Sequence, residues 1–239
     1  MRIKYVRALL WIGTIGAAAA SLQGCAGSPE RVSAEEAFAL SASALSGSES
    51  YGFVGEIALF DPYGRLGGKS AFEGQVSGHG DLKINWKPGD GISERAHAAK
   101  SGTDRPLKLL EALNGRSATI SYEEAPMADR PVALRIKLNG ELAKARIADG
   151  LREEMKLLRT DESLPGLHSA EREKTLASAD KKLEAALSTL QVETVVHWTA
   201  NPKSWFPIRM EEETELNYTW EGVSYREKRT SATDFLAKA

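Results

Sequence analysis

Three short stretches of the 239-residue chain carry residue types that do covalent, phosphate or metal chemistry. Ser178-Ala179-Asp180-Lys181 has the spacing of a serine nucleophile with a lysine base one helical turn away. Its companion motifs are missing, so the pair reads as a solvated helix face. Gly64 to Ser70, GRLGGKS, has the glycines and the Gly-Lys-Ser of a phosphate loop. That loop needs four residues between its first glycine and the Gly-Lys-Ser. Here three residues separate Gly64 from Gly68, and Tyr63 stands where the glycine is required. The residues that follow, AFEGQVSG, read as a strand and not as a helix whose N-terminus would hold phosphate. A glycine-rich hairpin turn opened by Asp61-Pro62 explains the stretch. The run Glu211-Glu212-Glu213 offers carboxylates to a cation, but adjacent strand residues point to opposite faces, which makes it a solvated edge. His79, His97, His168 and His197 lack metal-ligand spacing, and neither His-Glu-x-x-His nor Gly-x-Ser-x-Gly occurs. The reading is of a protein that is not an enzyme and that carries no cofactor and no metal.

One further reactive group remains. Cys25 is the single cysteine of the chain, and it follows an uncharged apolar run, Ala8 to Ala20, that is preceded by Arg2, Lys4 and Arg7. That run is shorter than the roughly 20 apolar residues a membrane-spanning helix needs. A basic start, a short apolar core and small residues before a cut describe a secretory signal. Leu22-Gln23-Gly24-Cys25 resembles the bacterial lipobox. The resemblance implies cleavage after Gly24, a thioether-linked diacylglyceryl group on Cys25, and Cys25 as the new N-terminus. Two acyl chains give stable anchoring, at about 0.8 kcal/mol per buried methylene. The domains expected are a signal peptide over residues 1–24, a lipidated N-terminus and flexible tether over 25–50, and a folded unit over 51–239. Loss of residues 1–24 removes three of 31 basic residues, leaving 28 against 33 acidic ones, a formal charge of −5. A net negative, mixed-sign surface excludes nucleic acid as a partner. The location expected is extracytoplasmic, anchored to the cell membrane by lipid. Ala26 after the lipidated cysteine favours passage to an outer membrane if the cell has one.

The folded unit reads as strands, then helices, then strands. Tyr51, Phe53, Ile57 and Leu59 alternate with smaller or polar neighbours. Leu82, Ile84 and Trp86 do so, as do Ala118, Ile120 and Tyr122, and Val132, Leu134, Ile136 and Leu138. Such period-two patterning marks antiparallel strands with one dry and one wet face. TDRPLKLLEALNG, Thr103 to Gly115, predicts a short helix between the second and third of these. In the middle, Ala143, Ile147, Leu151, Met155 and Leu158 recur at helical spacing, and so do Leu176, Ala179, Leu183, Leu187 and Leu190. Two helices of roughly 20 residues, capped by Asn139 and Ser169, are predicted there as antiparallel neighbours packed on the domain's own sheet. Val192 to Trp198, and Thr214 to Trp220, return to alternation, and Glu221-Gly222 suits a two-residue hairpin turn. Four or five strands, a helical hairpin and three or four more strands make an α+β fold. A shorter helix over Ala34 to Leu45, capped by Ser33, falls within the tether.

YGFVGEIALFD, PLKLLEALNG, NPKSWFPIRME and ELNYTWEG follow the cysteine in an order that resembles lipoproteins of the LolA/LppX type over residues 51 to 230. The resemblance implies a curved antiparallel sheet, an open half-barrel, with the long helical hairpin and a short helix packed on its concave face. It also implies a hydrophobic ligand, an acyl chain or similar, on that face. The residues expected to contact it are Phe53, Ile57, Trp86, Trp198, Leu216, Tyr218 and Trp220. The other function class is an interaction or regulatory lipoprotein with a filled core that binds an envelope protein or cell-wall component. Packing of the concave face by Leu151, Met155, Leu183 and Leu187 is what would favour that class.

Overall fold

A computed structural model describes residues 29–78, 81–88, 118–160 and 169–237. Cys25, the expected signal peptide, the helix expected at 103–115, and His79, His97 and His168 lie outside the described residues. The described residues form eight strands: β1 (Tyr51–Phe60), β2 (Leu66–Ser77), β3 (Asp81–Pro88), β4 (Ala118–Tyr122), β5 (Val132–Leu138), β6 (Gln191–Ala200), β7 (Pro207–Trp220) and β8 (Val223–Ala237). They form one antiparallel sheet in the order β3-β2-β1-β8-β7-β6-β5-β4. The sheet is open, and β3 and β4 are its two edges. Among the described residues three helices accompany it: α1 (Ala34–Ser46), α2 (Gly140–Thr160) and α3 (Ser169–Thr189). The fold is α+β, with five strands before the long helices and three after them.

The turns follow from local chemistry. Asp61 Oδ1 accepts the N–H groups of Tyr63 and Arg65, each at 2.9 Å, and Gly64 takes φ +74°. GRLGGKS is therefore a β-hairpin, and its Gly-Lys-Ser lies inside β2. Glu221 and Gly222 both have positive φ, 49° and 79°, as a two-residue hairpin loop requires. Pro207 starts β7, where a missing N–H costs little.

Alternation sorts the side chains onto two faces. The outer face is wet and tied by cross-strand ion pairs, among them Lys69–Glu56, Lys87–Glu73, Lys137–Glu193 and Lys228–Glu213. The inner face carries the core. Rings touch one another across it from the edge strand to α1, in the order Trp86, Phe72, Phe53, Tyr51, Phe235, Trp198 and Phe38, with centroids 5.3–6.4 Å apart. Two glycines make room for this. Gly55 pairs with Phe72 and Gly74 with Phe53, and each ring folds over the bare backbone of its partner. A Cβ on Gly55 would lie 2.4 Å from both the Phe72 ring and the Ala232 carbonyl.

Residues 34–46 require a correction to the sequence reading. Their Ser and Ala content suggests a tether, yet α1 packs on the inner face with Ala37, Phe38, Ser41 and Leu45 buried. Small side chains let the helix approach the sheet closely, and Ser33 and Glu36 close a capping box at its start. The Trp198 indole N–H donates to Ser41 Oγ at 2.8 Å, and the Tyr122 hydroxyl donates to the Val32 carbonyl at 3.0 Å. The packed unit therefore begins ahead of residue 51.

Asn139 Oδ1 accepts the Glu141 N–H at 2.8 Å and caps α2, which continues unbroken through Gly150. α2 lies against β6 and α3 against β7. Arg152 meets Glu184 with two hydrogen bonds of 2.8 and 2.9 Å, and Arg159 meets Asp180, so the two helices are also tied to each other. Leu187 is buried, Leu151 and Leu183 pack half-buried against the core, and Met155 is half-buried. No described helix is long and apolar enough to cross a membrane.

Candidate functional site

The sheet places all seven expected ligand contacts on its inner face. Phe53 and Ile57 come from β1, Trp86 from β3, Trp198 from β6, and Leu216, Tyr218 and Trp220 from β7. They divide by burial. Phe53, Ile57, Trp198 and Leu216 are buried, whereas Trp86, Tyr218 and Trp220 are half-exposed. Trp198, 0% exposed, is held between Phe38 of α1 and Phe235 of β8, and Phe53 is folded over Gly74. These two are engaged with the protein itself. Tyr218 stacks on Tyr225 at 5.6 Å and donates to Glu227 Oε1 at 2.6 Å. Burial, the Glu227 bond and the Glu227 charge raise the pKa of its hydroxyl, while Arg229 pulls the other way. The Lys182 ammonium sits 5.8 Å from the Trp220 ring centroid.

The helices cover this face unevenly. α1 lies on β4 and β7, α2 on β6 and α3 on β7. Toward the other edge, the inner-facing Leu59, Leu82, Ile84 and Trp86 of β1 and β3 are half-buried. Gly68 of β2 is buried and faces inward opposite Leu59, yet no heavy atom of the described residues lies within 4 Å of where its Cβ would be. Among the described residues, a buried glycine with open space above it marks a place that their side chains leave unfilled. Native cores hold few such gaps.

A polar group that the sequence reading missed lies on the same face, toward α2. The triple-glutamate run is not a solvated edge: β7 is an interior strand, and Glu212 points into the core at 3% exposure. Arg146 of α2 reaches it with two hydrogen bonds of 2.9 and 2.8 Å, and Thr214 donates to it at 3.2 Å. Thr214 in turn bonds Thr194 at 2.9 Å. Beside them, β8 presents Arg229, Ser231 and Thr233 on the same face, opposite Leu59, Ile57 and Gly55 of β1. Ser231 and Thr233 are 4% and 0% exposed. Their hydroxyl oxygens and the Arg229 Nε are buried and have no hydrogen-bond partner among the described residues. Buried polar atoms are satisfied in the great majority of cases, so a row of three calls for an explanation.

The remaining sequence candidates lie apart. Ser178 and Lys181 are exposed on α3. His197 is on the outer face, with Nδ1 against the Glu123 carboxylate. Among the described residues no three His, Cys, Asp or Glu side chains gather as a metal site would require. No protein-family model matches the chain, and no curated protein matches it.

Proposed function

We propose that this chain is an exported, lipid-anchored protein that holds a hydrophobic ligand against the inner face of its open sheet. Cys25, within Leu22-Gln23-Gly24-Cys25 and behind a basic and apolar leader, carries the anchor. The domain then stands outside the cytoplasm at the membrane surface. The observation that carries the ligand reading is the open space over Gly68 among the described residues, opposite half-buried Leu59 on the inner face. In this reading the sheet curves into a half-barrel, and α2 and α3 form a hairpin over its concave face. The Arg152–Glu184 and Arg159–Asp180 pairs support that hairpin. The ligand-contacting set narrows to Trp86, Tyr218 and Trp220 with Leu59, because Phe53, Ile57, Trp198 and Leu216 are used by internal packing.

Leu187 buried, with Leu151 and Leu183 against the core, favours a second reading. The half of the sheet beneath α2 and α3 is filled, as an interaction or regulatory lipoprotein with an envelope partner would have it. Native mass spectrometry of the full chain recovered from cells in a neutral detergent separates the two. A reproducible excess mass, released by organic extraction and identified as lipid, supports the carrier. A bare protein mass favours the filled interaction module.

A further inference from the structure

Thr233, Ser231 and Arg229 occupy successive inward positions of β8, and Leu59 of β1 stands between Arg229 and the open space over Gly68. The cross-strand register places Gly68, Leu59, Arg229 and Thr214 in one row, on β2, β1, β8 and β7. The next row holds Ser70, Ile57, Ser231 and Glu212. Arg229 is half-buried, has no carboxylate partner among the described residues, and buries an Nε–H with no acceptor. Ser231 Oγ is buried and equally unmatched. The nearby acids are already engaged: Glu212 by Arg146 and Thr214, Glu227 by the Tyr218 hydroxyl. One unmatched cation and adjacent hydroxyls, at the end of an apolar gap, match a singly charged group that only accepts hydrogen bonds.

We propose that Arg229 and Ser231 form a head-group site for the carboxylate of a single-chain amphiphile, a fatty acid, whose tail lies over Gly68 and Leu59. A guanidinium meets a carboxylate with two parallel hydrogen bonds, a geometry that a neutral ester cannot fully use. The site rests on the hydrophobic-ligand reading above, and it adds a preference for charge at one end of the ligand. Gly68 needs no bare backbone for the turn or the strand: its φ is not positive, and no described atom lies above it. Its bareness leaves the room a tail requires.

Competition between palmitic acid and its methyl ester tests this, read by native mass spectrometry of the full chain in a neutral detergent. The two ligands differ by one methylene in mass. The expected result is about ten- to hundredfold preference for the acid, the worth of one charge-assisted hydrogen bond. Arg229→Gln should bind both equally, with circular dichroism and melting temperature unchanged. Ser231→Ala should keep or raise the melting temperature, because it removes an unmatched buried hydroxyl, and should weaken only the acid. A merely structural Ser231 would leave the ratio alone. Gly68→Leu should exclude both ligands from a folded protein. Equal binding of acid and ester by the unmodified chain would overturn the head-group site while leaving the apolar face in place. Binding of neither would overturn both readings together.

Discussion

Arg146→Met removes the guanidinium that meets Glu212 through bonds of 2.9 and 2.8 Å between α2 and β7. The Glu212 side chain is 1% exposed and that of Arg146 13%, so the carboxylate is left nearly dry with only Thr214 as a donor. Stripping one partner from a buried ion pair costs about 3–5 kcal/mol. The residual exposure of Arg146 admits some water to the vacated space, which places the expected loss near the lower end, about 3 kcal/mol. Against a total stability of about 5–15 kcal/mol this is large. With a urea dependence of about 2–3 kcal/mol per molar for a domain of this size, the unfolding midpoint should fall by about 1 M. Arg146→Met combined with Glu212→Leu removes both charges and fills the space with apolar atoms of similar size. It should recover most of the loss or exceed the parent, since such replacements are often neutral or stabilising. Urea unfolding of the two single variants and the double, in a chain beginning at Gly27, closes the cycle. A midpoint shift under about 0.3 M for Arg146→Met would refute the reasoning. So would a double variant as damaged as the worse single one.

Gly55→Ala should cost about 3 kcal/mol or more, because its Cβ meets a backbone carbonyl at 2.4 Å, whereas Gly68→Ala should be neutral or gain up to about 1 kcal/mol. Comparison of the two urea midpoints checks this, and similar values would contradict it. A chain beginning at residue 47 loses α1 with buried Phe38 and Leu45, and should unfold at least about 5 kcal/mol more easily than one beginning at Gly27. Calorimetric melting of the two reads the difference. Burial pushes the Tyr51 hydroxyl up to about 12 from its ordinary 10.0, so the folded state keeps a proton that the unfolded chain releases. That stability is complete below pH 10 and is lost as pH rises from 10 to 12. Tyr51→Phe should flatten the loss there, as followed by urea midpoints across that range. Cys25→Ala should block incorporation of radiolabelled palmitate and leave an uncleaved precursor on gels. A normally processed, membrane-bound Cys25→Ala protein would overturn the anchor.

Most of the sheet is legible in the sequence because its faces differ in chemistry. Leu82, Ile84 and Trp86 against Lys83, Asn85 and Lys87 fix a strand by alternation alone, and so do Val192 to Trp198. β8 is legible only where it begins. Its inward positions read Tyr225, Glu227, Arg229, Ser231, Thr233 and Phe235, so hydropathy does not alternate where the unmatched polar row lies. Glu212 is hidden for a related reason. Period two puts it inward, but nothing near it in sequence announces Arg146, which arrives from α2. α1 and its Ser33 cap are legible, but its packing is not, because its Ala and Ser content is that of a linker. Its burial depends on Trp198 and Tyr122, far along the chain.

The strand order has a consequence for timing. β1 is among the first elements synthesised and β8 the last, yet they lie side by side near the middle of the sheet, Tyr51 opposite Ala237 and Phe60 opposite Lys228. Until β8 is delivered, β1–β3 and β4–β7 are two separate meanders, each with a raw seam and half a core. Pairings this distant in sequence form late, because closing so long a loop loses entropy before any contact repays it. A nascent chain built this way stays unlocked until β8 has emerged. That is the condition in which a polypeptide can be threaded through a narrow pore, and in which it is most exposed to proteases and to mispairing with another copy.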